Sequence, residues 1–381
     1  MPLSAFHPES YPHLLADKVA RTGFLLQDFD PPEPLVYPSQ VEGFRMRAEF
    51  RLWHDGDDLN YVMFKRGDAK TPYPIEHFPI ACEAIQAIMP TLRLLLRPNP
   101  SLRVKLFQVE FLASLSGEMV ITLAYHRKLD DEWLFQAQGL RDALQCEVNV
   151  AGSSALDKLS IVGRSRKQKL IVGEDYVDEA LEINNRVYRY RQFEQSFTQP
   201  NARVNVAMLE WASNQAAQSG GGDLLELYCG NGNFTLPLAQ YFDQVVATEV
   251  AKSSIKAAQH NIRQNNAGNI HLIRLSAEEV TQALAGEREF RRLRDLPCAL
   301  TAFNLATLLV DPPRAGLDDH TTRMAGAFNN IIYISCNPQS LATNLANLSQ
   351  THRIAHLAMF DQFPYTDHME CGVVLRRRDS R

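Results

Sequence analysis

Cysteine is the strongest side-chain nucleophile in this sequence of 381 residues, and of its six cysteines one, Cys336, stands where chemistry is done. Ile331-Ile332-Tyr333-Ile334 reads as a buried strand that breaks at Ser335-Cys336-Asn337-Pro338. Proline removes a ladder donor and turns the residue before it away from helical backbone. The thiol thus sits at the carboxyl end of a strand, where open α/β sheets hold their ligands. The competing reading is a buried, inert thiol, which is cysteine's habit. Cys82, Cys146, Cys229, Cys298 and Cys371 are scattered, with no C-x-x-C spacing. That argues against a zinc or iron–sulfur site, so no metal is expected, and it favours a reducing cytoplasm.

A second candidate site lies at Tyr228-Cys229-Gly230-Asn231-Gly232-Asn233-Phe234, after a strand from Asp223 to Leu227. Its glycines let backbone approach a ligand closely. The next strand, Gln244–Ala247, leads to Glu249, nineteen residues after Gly230, where a carboxylate accepts hydrogen bonds from ribose hydroxyls. Thr235 occupies the place of the third glycine of a dinucleotide fingerprint. The pattern favours an adenosyl ligand without a pyrophosphate, namely S-adenosyl-L-methionine. A third strand is expected over Ile270–Leu275. A fourth, Leu305–Val310, runs into Asp311-Pro312-Pro313-Arg314, and the fifth carries Cys336. The sixth covers Arg353–Phe360 and the seventh Gly372–Leu375, with Glu370 just ahead of it beside His368 and Cys371. A carboxylate at a strand start is most often a surface residue.

These strands need a scaffold, and the chain divides near residue 195, where Ser196-Phe197-Thr198-Gln199-Pro200-Asn201 interrupts the pattern. Residues 196–381 read as a Rossmann-like α/β catalytic domain opening with a helix over Ala202–Gln218. Residues 1–195 read as an α+β domain. Helical spacing covers Leu14–Leu26, and the prolines from Pro31 to Pro38 mark an extended connector. Phe44, Met46, Ala48, Phe50 and Leu52 alternate with Arg45, Arg47, Glu49 and Arg51, which predicts a half-buried strand with a basic outer face. Leu59–Phe64 returns as its hairpin partner. A helix over Ile80–Leu96 has Pro79 suited to its first position and is expected to kink or split at Pro90. Strands over Leu102–Leu112 and Met119–Tyr125 join through Ser116-Gly117. A helix spans Asp130–Gln145, and short strands follow near Val148, Ile161 and Ile171.

The net charge of −5 supplies no global field for nucleic acid, so RNA binding would need local patches. Two basic clusters qualify: Arg164, Arg166, Lys167 and Lys169, and Arg186, Arg189 and Arg191 interleaved with Tyr188 and Tyr190. Each is as readily an ordinary solvated face. No run of eighteen apolar residues is long enough to span a membrane, and the N-terminus does not read as a signal peptide.

Four motifs together resemble the RNA uracil-5-methyltransferases: Leu225-Glu226-Leu227-Tyr228-Cys229-Gly230-Asn231-Gly232-Asn233-Phe234, Val310-Asp311-Pro312-Pro313-Arg314, Ile334-Ser335-Cys336-Asn337-Pro338 and His368-Met369-Glu370-Cys371-Gly372. Within them the chain resembles the bacterial tRNA (uracil-5-)-methyltransferases over nearly its whole length, including Phe44–Arg51, Trp53–Leu59, Phe197–Asn201 and Phe360–Thr366. The resemblance implies a class I S-adenosylmethionine-dependent methyltransferase domain with an N-terminal RNA-binding domain. It implies Cys336 as nucleophile and Glu370 as base, and it implies that Gln199, Tyr228, Asn233, Glu249 and Asp311 hold the methyl donor. Cys229 and Cys371 become structural. The implied substrate is the T-loop uridine of tRNA, position 54 in the T-arm, with tmRNA left open and a monomer expected. The rRNA-modifying relatives carry a cysteine-ligated iron–sulfur cluster that this chain lacks. Two rivals stay open: an rRNA uracil-5-methyltransferase without its cluster, and an RNA-folding protein on the same scaffold.

Overall fold

The strand expected around Phe50 forms, and its five apolar residues are all buried. The computed structural model describes residues 6–64, 67, 71–150 and 156–378. The chain packs as two compact units, neither of them one run of sequence. Unit 1 comprises Met1–Glu9, Gln40–Ala180 and Arg191–Ala202; unit 2 comprises Ser10–Ser39, Leu181–Tyr190 and Arg203–Arg381. The boundary expected near residue 195 therefore gives way to a different partition. Helix α1 (Tyr11–Leu26) and strand β1 (Leu35–Tyr37), read as part of an N-terminal domain, pack in unit 2. The cause is main-chain pairing and burial, neither of which a local pattern records. Leu26 is fully buried in unit 2's core, and the proline-flanked β1 adds an edge strand to its sheet.

Unit 1 is built on a seven-stranded sheet. In chain order its elements are β2 (Arg47–Asp55), β3 (Asp58–Phe64), β4 (Pro72–Pro74), α2 (Glu83–Leu96), α3 (Pro100–Arg103), β5 (Leu106–Ala113), β6 (Glu118–Tyr125), α4 (Asp131–Val150), β7 (Lys158–Ser165) and β8 (Gln168–Val172). The sheet order is β4-β3-β2-β5-β6-β7-β8. Only β6 and β7 pair parallel, with α4 as the crossover between them. Gly163 of β7 lets α4 pack closely, since an added Cβ would lie 2.4 Å from the Trp133 ring.

Three local expectations fail here. Pro79 does not open α2, because Cys82 is its N-cap and Arg45 bridges to Ala81 ahead of it. Pro90 does not split the helix. Its ring lies on the exposed face, while Ile85, Ile88, Met89, Leu92 and Leu96 bury the opposite stripe and offset one missing hydrogen bond. The stretch near Val148 is the end of α4 rather than a strand.

A hairpin, β9 (Tyr176–Ile183) and β10 (Arg186–Phe193), follows, turning at Asn184 and Asn185 with φ of 48° and 62°. Tyr188 and Tyr190 are core residues of unit 2, not rungs of an exposed aromatic face. Arg191 is held by Asp178 at 2.9 and 3.0 Å and lies over Tyr176, so that basic cluster is partly committed.

Unit 2 continues through α5 (Ala202–Ala216), β11 (Asp223–Leu227), α6 (Thr235–Leu238), β12 (Val245–Thr248), α7 (Lys252–Gln264), β13 (Ile270–Ile273), α8 (Ala277–Leu284), β14 (Leu305–Val310), α9 (Asp319–Ala325), β15 (Asn330–Ser335), α10 (Pro338–Leu348), β16 (His352–Phe360) and β17 (Glu370–Arg377). The sheet order is β1-β16-β17-β15-β14-β11-β12-β13, parallel throughout except for β17. Leu225, Val310 and Tyr333 face one core, while Leu224, Leu309 and Ile332 face another. The sheet is thus buried on both sides, as a Rossmann-like doubly wound sheet must be. Its order reverses between β11 and β14, and that switch point is where such sheets bind ligands.

Candidate active site

Register brings the candidate residues together. Leu227 pairs with Val310 at the ends of β11 and β14, so the next residues, Tyr228 and Asp311, leave the sheet side by side. Ser335 pairs with Cys371 at the last rung of the antiparallel β15 and β17, so the residues just beyond it, Cys336 and Glu370, come close enough for the carboxylate to raise the thiol. Thiol and carboxylate are therefore brought to one locus by strand register.

Each loop is held by its own bonds. Tyr228 adopts a left-handed backbone with φ of 62°, uncommon for a residue with a side chain and frequent at functional turns. Gly230 follows with φ of 57°, and an added Cβ there would meet nothing within 4 Å, so this backbone is open to a ligand. Glu249 accepts from Gly230 N–H at 3.1 Å with Oε2, and from Val250 and Ala251 N–H at 2.6 and 2.7 Å with Oε1. Each carboxylate oxygen has two lone pairs, so Oε2 keeps one for a ribose hydroxyl. Asn233 exchanges amide hydrogen bonds with Asn205 of α5 at 2.9 and 3.0 Å, which fixes the glycine loop against that helix.

The loop after β14 is pinned from below. Asn344 of α10 accepts from Leu317 N–H at 2.9 Å and Tyr333 OH at 2.8 Å, and donates to Leu317 O at 2.9 Å. Gly316, with φ of 78°, makes room, since a Cβ there would lie 2.6 Å from Asn344 Oδ1. Asn337 caps α10 through Gln339 N–H at 3.2 Å and donates to Arg314 O at 2.9 Å, linking the two loops. Half-buried Cys336 sits between the end of β15 and this cap.

The electrostatics are lopsided. Burial, then Glu370 and Asp311, push the Cys336 thiol up to about 11, against the opposing Arg314. Burial, then Asp311, raise Glu370 to about 8, again opposed by Arg314. Burial alone raises Asp311 to about 7. Glu226, at 2% exposure, is raised to about 8 by burial. The Thr235 hydroxyl beside it lowers that value, yet Glu226 Oε2 makes no hydrogen bond of ordinary geometry. Three acids and a thiol thus share one locus, and the cation that acts on both Cys336 and Glu370 is the exposed Arg314. This donor set suits a ligand that carries positive charge, as a sulfonium does, and the open backbone at Gly230 suits its nucleoside. S-adenosyl-L-methionine therefore fits the residues present.

Tyr228, Asn233, Glu249, Asp311, Cys336 and Glu370 all belong to unit 2, whereas Gln199 belongs to unit 1. Among the described residues no group of His, Cys, Asp or Glu is arranged to hold a metal ion, and no helix is long and apolar enough to cross a membrane.

Unit 1 carries features that the sequence patterns missed. Arg47 is not a free cation of the outer face: its guanidinium donates to Ser196 O at 3.0 Å, and its Nε is buried without a partner. Arg51 is exposed and lies 5.4 Å over the Phe107 ring, which stacks on exposed His126 at 3.9 Å and 9°. The signal was a register shift between Leu106 and Gln108, which re-aims Phe107 out of the alternation.

Comparison with known proteins bears on the family and the fold. The profile of the tRNA (Uracil-5-)-methyltransferase family matches residues 10–378. A Vibrio cholerae serotype O1 protein named tRNA/tmRNA (uracil-C(5))-methyltransferase is 49% identical over 372 residues, 98% of each chain. A protein of the same name from Yersinia enterocolitica serotype O:8 is 50% identical over 371 residues, 97% of this chain and 98% of that one. The fold is shared with the crystal structure of Pyrococcus abyssi tRNA (uracil-54, C5)-methyltransferase in complex with S-adenosyl-L-homocysteine, at a TM-score of 0.69 and 20% identity, covering 96% of this chain and 83% of that one. A doubly wound sheet with one antiparallel strand, a strand-end thiol beside a buried carboxyl, and these matches over nearly the whole chain lead to one conclusion: the chain belongs to the tRNA (uracil-5-)-methyltransferase family.

Proposed function

We propose that this enzyme methylates C5 of the T-loop uridine at position 54 in the T-arm of tRNA, and of the matching uridine of tmRNA, through a covalent adduct on Cys336. The observation that carries the reading is the register that brings Cys336 beside Glu370. Uracil C5 is too weak a nucleophile to act unaided. Addition of the Cys336 thiolate to C6 forms a C–S bond, breaks the C5=C6 π bond and leaves an enolate with charge on C5. S-adenosyl-L-methionine, when bound, would supply the electrophilic methyl group that this carbon takes, the sulfonium S–CH3 bond breaking to leave a neutral thioether. Glu370 then takes the proton from C5, the electron pair re-forms C5=C6, and the thiolate leaves.

Burial and neighbouring acids favour the protonated forms of Glu370 and Cys336 in the free enzyme, and each must lose its proton before it acts. Arg314, which lowers both pKa values, favours that step. Tyr228, Asn233, Glu249 and Asp311 would hold the methyl donor, with Glu249 Oε2 toward the ribose. Gln199 enters this set by family resemblance alone. Exposed Arg51 and His126, with half-buried Phe107 between them, suit RNA contact, because nucleobases stack on aromatic and guanidinium planes. The target base lies inside a folded loop and must be flipped out to reach the thiol. A monomer is the state this reading takes, and six free cysteines fit the cytoplasm.

Incubation with unmodified tRNA, rRNA and labelled methyl donor, followed by nucleoside analysis, tests this. Label in 5-methyluridine from tRNA is expected; label confined to rRNA, or none, would overturn it.

A further inference from the structure

The segment that delivers Glu370 is tied down by a lysine from near the other end of the chain. Nine residues, Asp361–Met369, join β16 to β17. Lys18 of α1 is 2% exposed, and its ammonium donates to the Asp361 carboxylate, to Phe363 O at 3.2 Å and to His368 O at 3.2 Å. Three N–H donors thus meet three acceptors. Asp361 follows Phe360, the residue paired with Glu370 in the sheet, and His368 precedes Glu370 by two. One ammonium therefore links the two ends of the loop immediately before the carboxylate. The arm that carries Lys18 grips the loop twice more. Asp361 N–H donates to Tyr37 O of β1 at 3.0 Å, and the Tyr11 ring packs on Tyr365 at 5.8 Å. Asp361 is itself fully buried. A buried ion pair contributes little net stability relative to an apolar pair, so what these three directional bonds add is a fixed loop geometry.

We propose that Lys18 is a positioning residue for Glu370: by cross-linking Asp361, Phe363 and His368 it holds the carboxylate where the C5 proton must be removed. The inference rests on the reading of Glu370 as the base. Lys18 touches no reacting atom, so its loss should spare addition to C6 and methyl transfer and slow the release of RNA from Cys336. A misplacement of about 1 Å costs on the order of 100-fold in such a step.

The test compares methyl transfer with release in three variants of the full chain. Glu370→Gln is the reference and should trap a methyl-labelled RNA adduct on a denaturing gel. Lys18→Met/Asp361→Leu removes both buried charges together, so neither is stranded. It should transfer methyl in a single turnover near the wild-type rate, bind S-adenosyl-L-homocysteine normally in a calorimetric titration, and release RNA roughly 10- to 100-fold more slowly. Lys18→Arg keeps the charge but not the three-point geometry, and it supplies the same readout should the double variant not fold. If Glu370→Gln traps the adduct while the foldable Lys18 variant releases RNA at the wild-type rate, the positioning role is wrong and the base reading stands. Transfer and release falling in equal proportion would also reject it, as a merely structural effect. If Glu370→Gln releases product freely, the base reading itself has failed, whatever Lys18 does.

Discussion

The scaffold and the switch point hold their buried carboxylates in opposite ways. In unit 1, Glu194 at 3% exposure accepts from Arg164 and from Lys169, the latter at 2.9 Å; Glu179 is raised by burial to about 7, but Leu115 N–H holds both its oxygens, at 3.0 and 3.1 Å. In unit 2, Lys18 and Asp361 follow the same rule. At the switch point the rule is broken: Glu226, Asp311 and Glu370 are raised by burial, and no described salt bridge reaches any of them. Paired buried charge fixes geometry, whereas unpaired buried acid lowers stability and keeps a site ready for a cationic ligand and a proton. The difference separates scaffold from chemistry within one chain.

The largest expected effect tests the chemical side. Cys336→Ala should abolish methylation and any covalent RNA adduct while leaving calorimetric binding of S-adenosyl-L-homocysteine intact. Appreciable turnover would move the nucleophile elsewhere.

The scaffold side breaks next. Glu194→Gln leaves half-buried Arg164 and Lys169 facing a neutral partner in unit 1, with Lys169 keeping Asp175, and weakening such charge-assisted bonds costs about 1–3 kcal/mol. Denaturant unfolding should record that loss without a change in the pH profile of methylation. Glu226→Gln should do the reverse. A carboxyl raised from its ordinary value of 4.5 to about 8 imposes no penalty at pH 4, where it is protonated in both states. It costs progressively more as pH rises from 4.5 to about 8, because only the unfolded state ionises there. The variant should therefore unfold later than wild type at pH 8, by on the order of a few kcal/mol, and like wild type at pH 4. Equal stabilities at both pH values would mean that Glu226 has a partner in the folded state.

Smaller effects sharpen the boundary between the two roles. The rate at which methylated RNA leaves Cys336 should rise with pH through about 8, because Glu370 must be ionised to act as base. Arg314→Gln removes the charge that lowers both Glu370 and Cys336, so its profile should move to higher pH. An unmoved profile would remove Arg314 from the electrostatics of the site. The smallest change is expected for Arg51→Ala, which should weaken tRNA binding and reduce its salt slope by about one unit for each phosphate that the guanidinium neutralises. Arg47, bonded to Ser196 O, should instead show its effect in stability.

Much of unit 2 was legible in the sequence because its signals are local. Apolar β-branched runs, glycines at a strand end and prolines after Asp311 and Asn337 each act through a few neighbouring residues. Cys336, Glu249 and Asp311 were located from those runs, and the family motifs added the roles of Glu370, Tyr228, Asn233 and Gln199. Local pattern also placed β2 and β3, but it misjudged Pro79, Pro90 and Val148, where packing of an apolar stripe or a continuing helix outweighs intrinsic preference. What only the tertiary structure decided are pairings distant in sequence. These are the rung that brings Cys336 beside Glu370, the placement of β1 beside β16, the bonds of Asn344 to the loop after β14, and the ammonium of Lys18 between Asp361 and His368. Composition sees none of these, because a side chain's charge state and partner are set by what the fold brings within a few ångströms of it.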